Sequence, residues 1–116
     1  MSGLARERCQ ACAPGTPPLP EAEIAQLMDQ VAPAWIRSGP GLRRHQRTSD
    51  FAEAFGLATR IALLAEREGH HPELRLGWGY LEVELTTHAA GGVTRNDFIM
   101  AAKIDRLLEP SSGGRA

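Results

Sequence analysis

Two short runs of this 116-residue sequence alternate between apolar and polar side chains, a pattern typical of β-strands with one buried face. The apolar members are Leu74, Leu76 and Trp78 in the first run and Leu81, Val83 and Leu85 in the second. Gly79 and Tyr80 stand between the runs, and a glycine in the first position suits a two-residue turn. The sequence therefore predicts an antiparallel β-hairpin.

This turn fixes which residues face each other across the hairpin. The apolar pairs are Trp78 with Leu81, Leu76 with Val83, and Leu74 with Leu85. On the opposite face, Arg75 lies across from Glu84. If the same register continues past the strand ends, His71 faces His88 with Cβ atoms about 5 Å apart. Because His70 adjoins His71, three of the four histidines are predicted to meet at one end of the hairpin.

Three other segments have the periodicity of amphipathic helices. They are residues 21–31, 50–68 and 95–108. Asp50 with Glu53 fits a capping box at the start of the second helix, and Gly69 is expected to end it. Thr94 is the predicted N-cap of the third helix.

Two further strands are predicted between the first and second helices. Trp35 and Ile36 form one strand, residues 38–41 favour a turn, and the basic residues 42–48 return as a strand that is exposed or at an edge. The order helix, strand, strand, helix, strand, strand, helix predicts an α+β fold. In this α-β-β-α-β-β-α plait, helices pack on one face of a four-stranded antiparallel sheet.

The helix at residues 50–68 is apolar on more than one side. One stripe contains Phe51, Phe55, Ala58, Ala62 and Ala65, and the other contains Leu57, Ile61 and Leu64. A helix of this kind is usually covered on more than one side. We therefore expect a homodimer or homotetramer formed through this helix.

The composition argues against two classes of partner. Thirteen Lys+Arg and fourteen Asp+Glu give a net charge of -1, so direct binding to nucleic acid is not expected. No apolar run approaches the ~18–20 residues that cross a bilayer. Residues 1–20 also lack the apolar core of a signal peptide, so a cytoplasmic location is expected.

The two ends of the chain differ in composition from its centre. Residues 1–20 are rich in proline and predict a flexible, unpacked lead-in, residues 21–108 predict one folded domain, and residues 109–116 predict a disordered tail. The lead-in holds Cys9 and Cys12 as a lone C-x-x-C pair, which is a weak signal for a metal or redox site. The simpler interpretation is two reduced thiols in a mobile segment.

Three interpretations fit the clustered histidines. A single histidine is usually a hydrogen-bonded core residue or a surface residue. A metal site would use Glu66 and His70, four residues apart on the last helical turn, but neighbouring histidines rarely both bind a metal and no H-E-x-x-H spacing is present. General acid/base catalysis needs imidazoles that exchange protons near neutral pH, and it fits the cluster best.

The histidines belong to a longer motif. It reads Glu66-x3-His70-His71-Pro72-x5-Trp78-x9-His88-x8-Asp97. In every element and spacing this motif resembles that of the pterin-4a-carbinolamine dehydratases, and the similarity extends over residues 21–108. The Cys-x-x-Cys lead-in and residues 95–102 are similar to the bacterial branch that accompanies phenylalanine hydroxylase, which makes that enzyme an expected partner.

This resemblance implies the removal of water from 4a-hydroxytetrahydropterin to give quinonoid dihydropterin, in tetrahydrobiopterin recycling. It implies that His70 and His88 are the acid/base pair and that His71 mainly holds the substrate. It implies no metal and no organic cofactor.

The resemblance also implies supporting roles for three residues, each with a structural alternative. Glu66 and Asp97 would orient the histidines or bind the pterin, and Trp35 would line the pocket. Asp97 stands three residues after Thr94 and would also serve as a helix cap. Glu66 would also be explained as a surface carboxylate, and Trp35 as a core residue.

The same fold is also used without catalysis, which gives a second hypothesis. Relatives serve as a dimerisation cofactor of a homeodomain transcription factor in animals and as a RuBisCO assembly factor in some bacteria. The intact set of histidines favours the enzyme, because a scaffold does not need converging imidazoles.

Overall fold

The computed structural model describes residues 3–109. The helices are α1 (Glu21–Met28), α2 (Phe51–Glu68) and α3 (Arg95–Leu108), and the strands are β1 (Ile36–Ser38), β2 (Gly41–Arg47), β3 (Glu73–Gly77) and β4 (Tyr80–Leu85). Short 3₁₀ turns lie at Leu4–Arg6 and His88–Ala90. The four strands form one antiparallel sheet in the order β1-β2-β4-β3. The predicted α+β fold and its order of elements are confirmed.

Local signals place the ends of α2 where they were predicted. The Asp50 side chain accepts a hydrogen bond from the Glu53 N–H at 2.8 Å, and the Glu53 side chain accepts one from the Ser49 N–H at 2.6 Å. These bonds satisfy amides that the first helical turn leaves open. Gly69 ends the helix in the left-handed conformation, with φ at 70°. Glycine adopts this conformation without steric cost.

The apolar residues of α2 divide differently from the two predicted stripes. The core side consists of Ala54, Ala58, Ile61, Leu64 and Ala65. Phe51 and Phe55 lie on the outer side, where Phe55 remains 57% exposed. Phe51 and Phe55 stack on each other with ring centroids 6.2 Å apart. One apolar face of α2 therefore covers the sheet, and a second apolar surface is open.

The predicted hairpin is present, but its register is shifted by two residues. Leu74 pairs with Val83 and Leu76 pairs with Leu81. The two-residue turn is formed by Trp78 and Gly79, and Gly79 has a φ of 86°. The second residue of this turn needs a positive φ, which glycine adopts without strain. In the predicted turn the second residue would have been Tyr80, which does not adopt it readily.

This shift changes which residues lie at the ends of the hairpin, but each side chain stays on its predicted face of the sheet. A slip of two residues leaves every side chain on its predicted face, so the apolar side chains of β4 are buried. Trp78 stands at the turn, where it is 73% exposed, and does not pair with Leu81. Arg75 faces Glu82 and bonds both Glu82 at 3.0 Å and Glu84 at 3.1 Å. The ladder ends at Glu73, so His71 is not paired with His88.

The strand β2 lies inside the sheet between β1 and β4 and is not an edge strand. Its basic character is compatible with this position because Arg44 points under the helices and is paired there with Asp105. The Asp105 carboxylate also accepts hydrogen bonds from Trp35 Nε1 at 2.7 Å and from the Ala32 N–H at 2.8 Å. Because Asp105 pairs with this partly buried arginine, its charge is neutralised where the helices cover it.

The N-terminal segment differs from the unpacked lead-in that its composition predicts. Leu4 is buried in the hydrophobic core, and residues 7–12, here called the strap, lie across α2 and α3. Glu7 forms two hydrogen bonds with Arg95, at 2.9 and 2.7 Å. The helix α1 begins at Glu21 as predicted and ends at Met28. The predicted tail lies outside the described residues, except for residue 109.

Glu68, on the last turn of α2, holds the strap in place. Its side chain is 3% exposed, accepts a hydrogen bond from the Cys9 N–H at 2.9 Å, and lies 3.1 Å from Arg8 Nε and 3.6 Å from Lys103 Nζ. Burial raises the pKa of Glu68, but the Cys9 hydrogen bond and the two positive charges together outweigh burial. The pKa of Glu68 in the folded protein therefore lies below its ordinary value of 4.5.

We expect Glu68→Gln to destabilise the protein at neutral pH and to lose that effect in acid. A lowered folded pKa stabilises the fold above the unfolded value of 4.5, and this contribution disappears as the pH falls through the folded pKa. Urea unfolding of both proteins between pH 7 and about pH 3 measures this difference. The exposed Glu23→Gln is the control. A gap between wild type and Glu68→Gln that stays constant through this range would contradict the assignment.

Candidate active site

The ends of four elements carry the residues of the predicted site. His70 and His71 lie in the short connection between α2 and β3, directly after Gly69. His88 opens the 3₁₀ turn that follows β4, and Asp97 lies in the first turn of α3. The fold thereby brings segments that are far apart in sequence to one end of the sheet.

His70 is held by Asp97. Its Nε2 lies 2.6 Å from Asp97 Oδ1, and Asp97 is fully buried. Asp97 Oδ2 accepts hydrogen bonds from Thr87 Oγ1 at 2.7 Å and from the Thr94 N–H at 2.9 Å. The Asp97 side chain therefore both caps α3 and orients His70. A carboxylate only accepts hydrogen bonds, so Nε2 carries the proton of this bond, and in the neutral ring Nδ1 has a lone pair.

His71 pairs with Glu66. His71 Nε2 lies 2.7 Å from Glu66 Oε2, and both side chains are exposed to solvent. A solvent-exposed pair of this kind is weak and sensitive to salt. Glu66 therefore contacts His71 and not His70, the residue to which the metal-site hypothesis joined it. Residues 3–109 contain no group of three or more His, Cys, Asp or Glu side chains arranged to hold a metal ion.

His71 and His88 line one cavity of about 140 Å³. The cavity lies against the end of β4 and the turn between β1 and β2, and its other lining residues include Glu73, Glu84 and Thr86. His88 is exposed, and its ring makes no hydrogen bond within residues 3–109. His70 is not among the lining residues, and it is bonded to Asp97. The cavity therefore offers one imidazole that is free of partners and one that is held by a carboxylate.

Sequence reasoning missed the contribution of β2 and of the turn before it. A Cβ atom at Gly41 would clash with the backbone oxygen of Leu85, so only glycine allows β2 to approach β4 at this point. This approach brings the Pro40 turn to the cavity wall. The glycine-rich turn was visible in the sequence, but its partner strand was not.

Trp35 is not brought to this cavity. It is buried in the core, and its indole N–H is bound to Asp105. A larger cavity of about 710 Å³ lies nearby, between Arg44, Asp105 and Glu109, and none of the four histidines lines it. We place the candidate active site at the smaller cavity because two of the three clustered histidines, His71 and His88, line it.

Residues 17–107 match the family model described as Pterin 4 alpha carbinolamine dehydratase. The chain belongs to this family. The resemblance predicted from the histidine motif is confirmed. The match spans all three helices and all four strands.

Relatives from distant bacteria cover almost the whole chain. A protein of Gloeobacter violaceus, provisionally named pterin-4-alpha-carbinolamine dehydratase 1, is 46% identical over 108 residues, covering 90% of this chain and 92% of its own. A protein of Rubrobacter xylanophilus with the same provisional family name is 42% identical over 108 residues, covering 92% of this chain and 100% of its own.

Two solved structures are similar to this one. A transcriptional coactivator/pterin dehydratase from Brucella melitensis superimposes with a TM-score of 0.73 and 31% identity, covering 79% of this chain and 99% of that chain. A pterin dehydratase-like protein identified as a RuBisCO assembly factor in the alpha-carboxysome has a TM-score of 0.55 and 22% identity, covering 66% of this chain and 89% of that chain. This second likeness shows the shared fold alone.

No helix within the described residues is long and apolar enough to span a membrane.

Proposed function

We propose that this member of the family is an active dehydratase, which converts 4a-hydroxytetrahydropterin to quinonoid dihydropterin and water. The proposal depends on three histidines: His71 and His88 line the smaller cavity, and His70 is fixed by a buried carboxylate. The His88 ring has no hydrogen-bond partner in the part of the chain that the structure describes. Membership of the family supports the substrate class. The reaction recycles the pterin that an aromatic amino acid hydroxylase has used.

The proposed reaction needs two proton transfers. The C4a–O bond breaks as the departing hydroxyl receives a proton, N5 loses its proton, and a C4a–N5 double bond forms. We assign the proton donor to His88, because no group among the described residues bonds its ring. We assign the acceptor to His70 Nδ1, the lone pair left free when Nε2 binds Asp97. Imidazole supplies both forms near neutral pH.

His71 has a supporting role in this proposal. Its ring lines the cavity, and its contact with Glu66 sets the ring orientation. His71 would hold the pterin by hydrogen bonds while the other two histidines move protons. Neither transfer calls for a metal or an organic cofactor.

The deciding experiment is stopped-flow measurement of 4a-hydroxytetrahydropterin generated in place by an aromatic amino acid hydroxylase. The expected result is a decay faster than in buffer, first order in this protein, with quinonoid dihydropterin as the product. A folded protein that gives no acceleration would overturn the proposal. The non-catalytic scaffold would then be pursued, beginning with RuBisCO assembly because one similar structure has that role.

We also propose that the protein is a homodimer or homotetramer joined through the outer face of α2. Phe51, Phe55 and Leu63 are all more than half exposed on that face, and exposed apolar groups at this density mark an interaction surface. Phe55→Glu is expected to lower the mass measured by sedimentation equilibrium, because it places a charge in the contact. Gln26→Glu, which adds a charge at an exposed position of α1, is the control. Identical masses for wild type and Phe55→Glu would exclude this face.

A further inference from the structure

The strap of residues 7–12 joins the two helix ends that carry the candidate active site. The Cys9 N–H donates to Glu68 Oε1 at 2.9 Å, and Glu68 stands two residues before His70. The Gln10 N–H donates to Asn96 Oδ1 at 2.9 Å, and Asn96 Nδ2 donates to the Gln10 oxygen at 2.6 Å. Asn96 directly precedes Asp97 in α3. The strap is therefore bonded to one residue close in sequence to His70, which is Glu68, and to one next to Asp97, which is Asn96.

Both cysteines of the strap contact the same residue. Cys9 Sγ lies 3.7 Å from the backbone oxygen of Asn96, and Cys12 Sγ lies 3.5 Å from Asn96 Nδ2. Both thiols are free and partly buried. Gln10, the residue with two bonds to Asn96, stands between them in the sequence. In the docked strap, each thiol therefore contacts a different atom of Asn96.

The backbone of the docked strap does not favour a disulfide between these cysteines. Residues 8–13 form no helix, strand, turn or bend. The Gln10 N–H and C=O both bond the Asn96 side chain, so they point to the same side of the backbone, as in an extended chain. An extended chain advances about 3.1–3.4 Å per residue, which would put the Cα atoms of Cys9 and Cys12 about 9–10 Å apart. A disulfide requires Cα atoms within about 7 Å. Closing the bond must fold the segment between the cysteines, and Gln10 would then leave Asn96.

We propose that Cys9 and Cys12 are a reversible disulfide site, and that forming the disulfide releases the strap from Asn96 and Glu68. The oxidant is a low-molecular-weight disulfide. The Cys12 thiolate attacks one of its sulfurs, the S–S bond breaks, and the released thiolate takes up the Cys12 proton. The Cys9 thiolate then attacks Cys12 Sγ and expels the second small thiol. Two protein thiols are oxidised, and one small disulfide is reduced to two thiols.

The order of the two attacks follows from the surroundings of each sulfur. Cys12 lines a surface cavity of about 250 Å³ with Gln10, Arg95 and Asn96, and Cys9 does not line it. Burial, with the negative charge of Glu68, raises the pKa of Cys9 to about 12. A docked Cys9 is therefore almost entirely a thiol and becomes nucleophilic only when the strap lifts.

Release of the strap reaches the candidate site through two residues. Glu68 loses its bond from the Cys9 N–H, and Asn96 loses both of its bonds to Gln10. The strap then no longer joins the end of α2 to the start of α3, and only contacts such as Glu68 with Lys103 remain there. We therefore expect the oxidised protein to hold His70 against Asp97 less firmly. The disulfide and the release do not depend on the proposed dehydratase activity, and they are measured without it.

The test equilibrates the full chain in glutathione redox buffers, followed by acid quenching, alkylation and mass spectrometry. Expected is an intramolecular disulfide between Cys9 and Cys12 that reduced glutathione reverses. Hydrogen exchange of the Cys9 and Gln10 amides should be at least about tenfold faster in the oxidised protein, because both lose their acceptors. A disulfide that forms without faster exchange, or thiols that stay reduced or form only intermolecular bonds, would overturn the proposal.

Variants test whether docking of the strap and formation of the disulfide are coupled, this time by weakening the docking. Cys12→Ser should form no intramolecular disulfide and show no change in exchange with oxidant. Asn96→Ala weakens docking, so it should raise the equilibrium constant for disulfide formation about tenfold, because coupling between two events is reciprocal. Asn96→Asp, which keeps an acceptor for the Gln10 N–H, should raise the equilibrium constant less. Gln26→Ala, exposed on α1, should leave the constant unchanged, and an unchanged constant in both Asn96 variants would contradict the coupling.

Discussion

Replacing His88 or His70 with alanine is expected to slow the catalysed dehydration by about 100-fold or more in each case. The His88 ring has no hydrogen-bond partner within residues 3–109, so its removal deletes the proposed proton donor without leaving a described buried group unsatisfied. His70→Ala deletes the proposed acceptor and also frees one oxygen of the buried Asp97. The measurement is single-turnover stopped-flow decay of 4a-hydroxytetrahydropterin, with urea unfolding of each variant to show that it is folded.

Two other histidine variants make this result interpretable. His45 lies on the open face of the sheet, 3.2 Å from Glu82 and stacked on Tyr80, so His45→Ala should keep the wild-type rate. His71→Ala should raise KM more than it lowers kcat, since a residue that only holds substrate contributes to binding in both states. If folded His70→Ala and His88→Ala proteins both kept the wild-type rate, catalysis by these imidazoles would be excluded.

The fold was predictable because its strongest signals are local. The capping box at Asp50 and Glu53 and the period of two in β4 depend on residues a few positions apart. The register of the hairpin was not predictable from the same pattern. A shift of two residues keeps every side chain on its face, so both registers bury Leu81. Only the position of Gly79 within the turn separates them, because φ must be positive at the second turn residue.

The interior position of β2 and the docked strap depend on contacts between distant residues. Arg44 is compatible with the helix-facing side of the sheet only because Asp105 reaches it from α3, 61 residues later. The Cys9 N–H finds its acceptor in Glu68, 59 residues away. A proline-rich segment has no periodicity that would indicate such contacts. The basic charge of β2 and the proline-rich composition of residues 1–20 therefore predicted exposure to solvent. In the folded chain, Arg44 and the Cys9 N–H have partners instead.

The candidate site was located for a reason that was partly wrong. The predicted ladder from His71 to His88 does not exist, because β3 begins at Glu73. His71 and His88 still line one cavity, since both lie just beyond the same end of the hairpin. The link between His70 and Asp97 followed from the family motif alone, because no local pattern joins residues 27 positions apart.

Replacing Asp97 with asparagine is expected to slow dehydration by at least about 100-fold while the fold is kept. The two side chains have nearly the same shape. The amide oxygen must face the donors Thr94 N–H and Thr87 Oγ1, which lie 2.9 and 2.7 Å from Asp97 Oδ2. The amide NH₂ then faces His70 Nε2 and donates to it. The His70 proton moves to Nδ1, and Nδ1 can no longer accept a proton from N5 of the pterin.

This prediction distinguishes two roles of Asp97, which are to orient the His70 ring and to stabilise the start of α3. Nitrogen chemical shifts of the His70 ring report the change of tautomer, and kcat reports its consequence. Asp97→Ala should lower the free energy of unfolding by about 3 kcal/mol, because three donors lose their acceptor, whereas Asp97→Asn should cost less. Asp105→Asn, at the other buried aspartate of α3, is the matched control and should lower stability without changing kcat. A changed tautomer with an undiminished rate would remove His70 from the role of base and leave Asp97 as a structural cap.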